Sequence, residues 1–207
     1  MFFVFEGIDG SGKTTQARLL AEHLRDARGL DVLLVREPGG TVLGERLRAL
    51  LLDRRFRDLA PETEVFLFMA ARSHLVRTRI LPALAAGRVV ISDRFLWSTA
   101  VYQSVSSSLN PGEILRLARW AAPGLKVTRT FLIDMDPRAA LRRVKDRNRM
   151  EDRGLDYQRR VRNGFLALAR KFREDAAIVD GRGTPEEVHR RVTEKLPSRG
   201  WSRCSSP

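Results

Sequence analysis

A glycine-rich loop near the start of the chain constrains the fold more than any other stretch. It runs Gly7-Ile8-Asp9-Gly10-Ser11-Gly12-Lys13-Thr14 and fits G-x-x-x-x-G-K-[ST], a pattern whose backbone amides cradle phosphate groups. The apolar run at residues 2–5 predicts a buried strand before the loop, and the apolar spacing of residues 17–24 predicts a helix after it. Because a helix N-terminus carries partial positive charge, strand, loop and helix together predict a phosphate-binding site.

The same pattern assigns chemistry to individual residues of the loop. Lys13 can reach the β- and γ-phosphates of a nucleoside triphosphate, and the Thr14 hydroxyl can bind Mg²⁺. The predicted triphosphate-binding residues are Gly7, Ile8, Asp9, Gly10, Ser11, Gly12, Lys13, Thr14 and Thr15. ATP and Mg²⁺ are therefore the expected cofactors.

Apolar runs alternate with helical patterns along the rest of the chain. They predict further strands at residues 31–35, 88–92, 128–133 and 177–179. This alternation predicts an α/β protein of the P-loop NTPase fold, with a five-stranded parallel sheet and helices on both faces. We expect one domain over residues 1–196, with a short lid at about 147–155 and a loose tail at 197–207, where no core-forming period is present.

The chain is strongly basic, with a net charge of +13 and a pI near 11.2. Lysines are few, so most of the charge comes from arginines that are spread along the chain rather than grouped in a tail. This distribution favours an anionic small-molecule substrate over nucleic acid, since single arginines occur within motifs.

Cysteine content and hydropathy limit the other classes of protein. Cys204 is the only cysteine, which excludes an internal disulfide and a cysteine-based zinc site and indicates a reducing, cytoplasmic compartment. No apolar run approaches the ~20 residues that a membrane span needs. The three histidines lack metal-ligand spacing.

Asp93 and Arg94 follow an apolar strand, at the sheet edge where α/β proteins bind their ligands. Nucleotide-binding proteins place a carboxylate there, near Mg²⁺ or the nucleophile. An aspartate at a strand end can equally cap the next helix, so Asp93 alone does not decide between the two. Arg94 favours the first interpretation, because a guanidinium is suited to clamping phosphate.

Phe68 and Arg72 lie four residues apart on one face of a predicted helix. Together they could stack on a nucleotide base and hydrogen-bond to it. The spacing alone favours the simpler alternative, a core phenylalanine beside an arginine that extends to solvent.

Arg147, Arg149 and Arg153 fall in the charged, glycine-ended segment at the predicted lid. A charge run of this kind is usually a solvated loop. A catalytic role is favoured here because the glycine loop carries no basic residue between Gly7 and Lys13, and an arginine must then neutralise the migrating phosphoryl group from elsewhere.

Three stretches of the chain resemble the bacterial thymidylate kinases. They are Phe5-Glu6-Gly7 through Thr15-Gln16, Arg36-Glu37-Pro38-Gly39-Gly40-Thr41, and Asp93-Arg94-Phe95 with Tyr102-Gln103. The glycine loop alone marks a superfamily, whereas Arg-Glu-Pro-Gly-Gly-Thr at this position is far more specific. The resemblance covers nearly everything before the tail, although Phe95 stands where the family usually has tyrosine.

The resemblance implies an acceptor site whose side chains come from several segments. Arg48 and Arg94 would hold the acceptor phosphate. Phe68 would stack on thymine, Arg72 would reach a thymine carbonyl, and Thr99 and Gln103 would contact the base. On the sugar, Asp9 would approach the 3′-hydroxyl and Tyr102 would pack against the 2′ carbon. The family places a catalytic arginine either in the phosphate loop or in the lid. Gly10 after Asp9 matches the lid style, with Arg153 the first candidate and Arg147 and Arg149 next.

The activity implied is Mg²⁺-dependent transfer of the ATP γ-phosphate to dTMP, giving dTDP and ADP, in a homodimer. Lys13, Asp93, Arg94 and the lid arginines would be catalytic, and Thr14 and Asp93 would bind the metal. The alternatives are a deoxynucleoside kinase and a P-loop ATPase that binds nucleic acid. Two arginines on the acceptor side argue against the first, and the second leaves Phe68, Arg72 and Tyr102 without a role.

Overall fold

A parallel sheet of five strands forms the centre of the protein. The structure is a computed structural model that describes residues 1–56, 58–144 and 154–198. The strands are β1 (Phe2–Glu6), β2 (Val32–Arg36), β3 (Val89–Asp93), β4 (Arg129–Asp134) and β5 (Ala176–Asp180). Their order in the sheet is β2-β3-β1-β4-β5, and every neighbouring pair is parallel. The predicted fold is confirmed, and each strand begins within one residue of its predicted start.

Helices connect the strands along the described chain. They are α1 (Lys13–Asp26), α2 (Val42–Leu52), α3 (Pro61–Leu75), α4 (Leu81–Ala85), α5 (Leu96–Ser106), α6 (Pro111–Trp120), α7 (Pro137–Arg143), α8 (Gly154–Lys171) and α9 (Pro185–Thr193). After α3 ends at Leu75, the chain continues as a π-helical turn at Val76–Ile80 before α4 begins. Pro82 lacks the N–H that would continue the regular α-helical bonding.

The central strand β1 is buried on both faces, because its side chains alternate between them. Phe3 and Phe5 pack in one cluster with apolar residues of α1 and α9. Phe2 and Val4 pack on the opposite face, in a cluster with residues of α3 and α4. Four consecutive apolar residues are therefore consistent with a strand that has helices above and below it.

Backbone hydrogen bonds join the loops that leave neighbouring strands at the carboxyl edge of the sheet. The Arg94 N–H donates to the Phe5 carbonyl at 2.9 Å, and the Glu37 N–H donates to the Asp93 carbonyl at 3.0 Å. The segments after β1, β2 and β3 thus meet at one place, which is where the sequence predicts the site.

Two expected segments fall largely beyond the described residues. Of the predicted lid at 147–155, Gly154 and Leu155 form the start of α8, and the arginines Arg147, Arg149 and Arg153 lie outside the described residues. Of the predicted tail, only residues 197 and 198 are described. In the described ranges, none of the helices combines the length and the apolar character that a membrane crossing requires.

Candidate active site

The glycine loop lines a cavity of about 710 Å³ at the carboxyl edge of the sheet. Residues 9–15 all face this cavity, together with Arg48, Asp93 and Arg94. Gly10 has a φ of 76°, and a Cβ atom there would lie 2.1 Å from the Ala140 carbonyl oxygen. The loop can follow its path only with glycine at this position.

Lys13 is 5% exposed, and its Nζ donates to the Ile8 carbonyl at 2.7 Å. Burial, and after it the charge of Arg94, lower the pKa of Lys13 to about 8, although the carboxylates of Asp9 and Asp93 oppose this shift. A buried ammonium held mainly by a carbonyl is poised to bind an anion. A phosphate group entering the cavity would stabilise the charged form of this side chain.

Thr14 and Asp93 come together from different elements. The Thr14 hydroxyl donates to Asp93 Oδ2 at 2.5 Å, while Asp93 Oδ1 is buried and accepts no hydrogen bond from the described residues. A hydroxyl beside a carboxylate with a spare oxygen suits Mg²⁺, which prefers oxygen ligands. The described residues contain no group of three His, Cys, Asp or Glu side chains able to hold a metal alone. Phosphate oxygens and water would have to complete the shell.

Glu6, which the sequence analysis did not single out, caps α5 in place of Asp93. Its Oε1 accepts from the N–H groups of Phe95 at 2.9 Å and Ser98 at 3.1 Å, and its Oε2 accepts from the Ser98 hydroxyl at 2.5 Å. The alternative in which Asp93 caps the helix is therefore wrong. Burial raises the pKa of Glu6, against these hydrogen bonds and the charge of Arg94.

Arg94 lies in the turn that Glu6 holds, with a φ of 72° that is unusual for a residue with a side chain. Its guanidinium donates to Asp9 and to the Ser98 hydroxyl, the latter at 3.0 Å. Burial opposes its charge, but the carboxylate of Asp9 raises the pKa of Arg94 above its ordinary value. The arginine is thus a permanent cation at the floor of the site.

Asp9 joins Arg94 to Tyr102. The Tyr102 hydroxyl donates to Asp9 Oδ2 at 2.8 Å, and the Arg94 guanidinium lies 5.2 Å from the centre of the Tyr102 ring. Burial favours protonation of Asp9, yet the charges of Arg94 and Lys13 hold the pKa of Asp9 below its ordinary value. The same burial and the Asp9 charge raise the pKa of Tyr102 well above its usual range.

A second, smaller cavity of about 110 Å³ adjoins the first. All eight acceptor-site residues that the sequence analysis names line it, namely Asp9, Arg48, Phe68, Arg72, Arg94, Thr99, Tyr102 and Gln103. Asp9, Arg48 and Arg94 also line the larger cavity. The two cavities therefore share a charged wall. Within this wall, Arg48 is held by a 3.0 Å hydrogen bond from its Nη1 to the Pro38 carbonyl.

Arg72 is 2% exposed and forms a buried ion pair with Glu37, which is 4% exposed. Its Nε and Nη2 donate to Glu37 Oε2 at 2.8 and 2.6 Å, and Nη2 also donates to Thr99 and to the Phe95 carbonyl. The alternative in which this arginine extends to solvent is wrong. Burial raises the pKa of Glu37, while Arg72 opposes the shift by stabilising the carboxylate.

The buried acids that hold these ligand-facing groups were not predicted from the sequence. Glu6 ends an otherwise apolar strand, and Glu37 stands between a strand and a proline-glycine loop. A carboxylate in a segment that must be buried needs compensating donors, so these positions carried a usable signal. Glu64 carried no such signal, because it lies in the first turn of a helix together with the exposed Glu62.

Comparisons with known proteins agree on one family. A family model described as "Thymidylate kinase" matches residues 5–192. The thymidylate kinase of Ruegeria pomeroyi is 48% identical over 94% of this chain and 93% of that protein, and that of Desulfovibrio desulfuricans is 44% identical over 91% of each. The crystal structure of thymidylate kinase from Ehrlichia chaffeensis superposes with a TM-score of 0.79 at 33% identity, covering 94% of this chain and 97% of that one.

Replacing Glu6 tests whether it holds the Arg94 turn. We expect Glu6→Ala to lower the free energy of unfolding by about 3 kcal/mol, because it leaves the buried Phe95 and Ser98 donors without an acceptor. Urea titration followed by circular dichroism measures this loss. The exposed Glu113→Ala is the matched control, and equal midpoints for the two variants would contradict the assignment.

Proposed function

The chain belongs to the thymidylate kinase family and catalyses ATP-dependent phosphorylation of dTMP to dTDP, and we propose which of its residues carry out each part. The two alternative activities are not favoured by these relatives. The proposal places the ATP phosphates in the larger cavity and dTMP in the smaller one.

The charged wall shared by the two cavities is the observation that carries this assignment. Asp9, Arg48 and Arg94 line both spaces, so groups bound in each would meet there. Phosphoryl transfer requires the donor and acceptor phosphates to approach in line, with their negative charge compensated. Two arginines at the meeting point supply that compensation.

On the donor side, the loop amides and Lys13 would hold the β- and γ-phosphates. Lys13 would exchange its hydrogen bond to the Ile8 carbonyl for one to a phosphate oxygen. Its positive charge would then lie where negative charge accumulates during transfer. Thr14 and Asp93 would hold Mg²⁺, which when bound neutralises phosphate charge.

On the acceptor side, Arg48 and Arg94 would grip the phosphate of dTMP and aim one of its oxygens at the donor. Phe68 would stack on the thymine, while Arg72, Thr99 and Gln103 would contact its polar edge. Tyr102, whose hydroxyl donates to Asp9, would pack against the 2′ carbon and so disfavour a ribose hydroxyl there. Each of these assignments rests on the family resemblance together with the common cavity.

The lid arginines complete the proposal from the sequence alone. The phosphate loop carries no arginine, so Arg153, or else Arg147 or Arg149, would stabilise the migrating phosphoryl group. Closure of this segment over both nucleotides would also exclude water and limit wasteful hydrolysis of ATP.

We further propose a homodimer in the cytoplasm. Phe66 on α3 and Leu117 and Trp120 on α6, two helices that pack together, expose apolar surface that a second copy would cover. A monomer mass in sedimentation equilibrium would contradict the dimer. The cytoplasmic location rests on the single cysteine and on the nucleotide substrates.

The direct test of the acceptor assignment is an ADP-release assay across the common nucleoside monophosphates. With ATP and Mg²⁺ we expect rapid turnover for dTMP and slow turnover for purine and ribose acceptors. Efficient use of an unphosphorylated deoxynucleoside would contradict the role of Arg48 and Arg94.

We expect Lys13→Ala to reduce kcat at least about 100-fold while changing KM for dTMP little, because the lost charge faces the migrating phosphate. Steady-state kinetics with dTMP varied at saturating ATP measures both constants. Lys171→Ala, at the end of α8, is the control of the same residue type.

The affinity for ATP should depend on pH through Lys13. The pKa of this residue is about 8 in the free protein, and bound phosphate would raise it. Binding above pH 8 then takes up a proton, so affinity should fall by up to about tenfold per pH unit there. Calorimetry between pH 7 and 9.5 measures the slope, which Lys13→Ala should abolish.

Alanine substitution of each lid arginine would identify the catalytic one. We expect Arg153→Ala to lower kcat by about 10³-fold or more, with Arg147→Ala and Arg149→Ala having smaller effects. Single-turnover kinetics separates transfer from product release. If Arg153→Ala keeps its rate while another variant loses it, the assignment moves to that arginine.

A further inference from the structure

Gln103 lines the smaller cavity, and only one of the two polar atoms of its amide makes a hydrogen bond to the described residues. It lies on α5 and is 0% exposed, and its Nε2 donates to Glu64 Oε2 at 3.2 Å. Its Oε1 is buried and accepts no hydrogen bond from the described residues. A buried acceptor without a donor is costly, so this oxygen is suited to a ligand that supplies an N–H.

Glu64 fixes which end of that amide is available. It lies on α3, one turn before Phe68, is 3% exposed, and is not among the residues that line the cavity. A carboxylate only accepts hydrogen bonds, whereas an amide has a donating and an accepting end. Turning the Gln103 amide over would place two acceptors against each other. Glu64 therefore holds the nitrogen toward itself and leaves the oxygen for the cavity.

Arg72, which lines the same cavity, provides a donor. Its Nε and Nη2 are engaged by Glu37, Thr99 and the Phe95 carbonyl, whereas Nη1 contacts Met69 Sδ at 3.8 Å. Sulfur is a weak acceptor, so Nη1 retains donor capacity toward the cavity. The lining of the cavity thus includes a donor from Arg72 and an acceptor from Gln103.

The pyrimidine bases show two hydrogen-bonding patterns at the matching edge. Thymine and uracil offer a carbonyl acceptor beside the N3–H donor, while cytosine offers an amino donor beside the unprotonated N3 acceptor. The first pattern pairs with Arg72 and Gln103, and the second opposes donor to donor and acceptor to acceptor. A site built to pair with one pattern rejects the other strongly, because its buried polar groups are left unpaired.

We propose that Glu64 is a positioning residue that sets base selectivity by locking the Gln103 amide with its oxygen toward the base. The site consequently takes a pyrimidine with an N3–H and rejects cytosine. This proposal rests on the proposed function, which places the base in the smaller cavity. It assigns to Glu64 no contact with the nucleotide.

Glu64→Gln tests the proposal with little change of volume. A glutamine at position 64 can donate as well as accept, so both orientations of the Gln103 amide become allowed. We expect the ratio of kcat/KM for dTMP to that for dCMP to fall about tenfold. The matched control is Glu62→Gln, which makes the same change at an exposed position of the same helix turn and should leave the ratio unchanged.

A double variant shows whether Glu64 acts through Gln103. In a Gln103→Leu background we expect Glu64→Gln to leave the dTMP/dCMP ratio unaltered, because no amide remains to be oriented. Equal losses for both substrates in Glu64→Gln, with the ratio intact, would show a merely structural role and overturn the proposal. The wild-type rate with dTMP tests the proposed function separately.

NMR of the wild-type protein gives a measurement that does not depend on the activity of a variant. The Gln103 side-chain amide signals, assigned by their absence in Gln103→Leu, should exchange slowly in the free protein and keep that protection when dTMP binds. If adding dTMP changes the chemical shift of the amide protons in the way that a new hydrogen bond does, the nitrogen faces the base. That result would overturn the proposal.

Discussion

The carboxylate of Glu6 forms the contact on which both nucleotide cavities depend. It lies at the end of the central strand and accepts from the first turn of α5, so it ties that helix to the strand that leads into the phosphate loop. The turn it holds contains Arg94 in a left-handed conformation. Arg94 in turn reaches Asp9 of the loop. One buried acid thus fixes the distance between the donor and acceptor sides.

The charges of the site are balanced internally despite the strongly basic chain. Lys13, Arg48 and Arg94 face the cavities, while Asp9 and Asp93 stand among them. Without these carboxylates, the three cations would repel one another, and their partial loss of solvation would be uncompensated. With them, the site keeps its cations charged and retains an attraction for phosphate. The net charge of +13 therefore says little about the site, because the pairing of local cations with local carboxylates sets the charge that a phosphate meets there.

The sequence predicted the features that depend on neighbours along the chain. The phosphate loop, the strands and the parallel sheet follow from local pattern, because glycine requirements and apolar periodicity are local properties. Local pattern could not decide whether Arg72 extends to solvent or whether Asp93 caps the next helix. Arg72 meets Glu37 from a loop 35 residues earlier, and Asp93 loses the capping position to Glu6, 87 residues earlier. Such pairings depend on the strand order, which the pattern does not specify.

Three buried glutamates share one arrangement around the acceptor cavity. Glu6 holds the turn of Arg94, Glu37 holds the guanidinium of Arg72, and Glu64 holds the amide of Gln103. A carboxylate suits this position because, when ionised, it accepts hydrogen bonds and cannot donate them, so the group it holds has to present its remaining donor or acceptor elsewhere. Burial makes the constraint strong, since a misoriented partner would leave a buried charge unpaired. The cavity's hydrogen-bonding pattern is therefore set largely by buried acids, of which Glu37 lines the cavity and Glu6 and Glu64 lie behind its surface. Substitution of Glu37 or Glu64 should therefore change which base is accepted, whereas substitution of Glu6 should change how the acceptor phosphate is held.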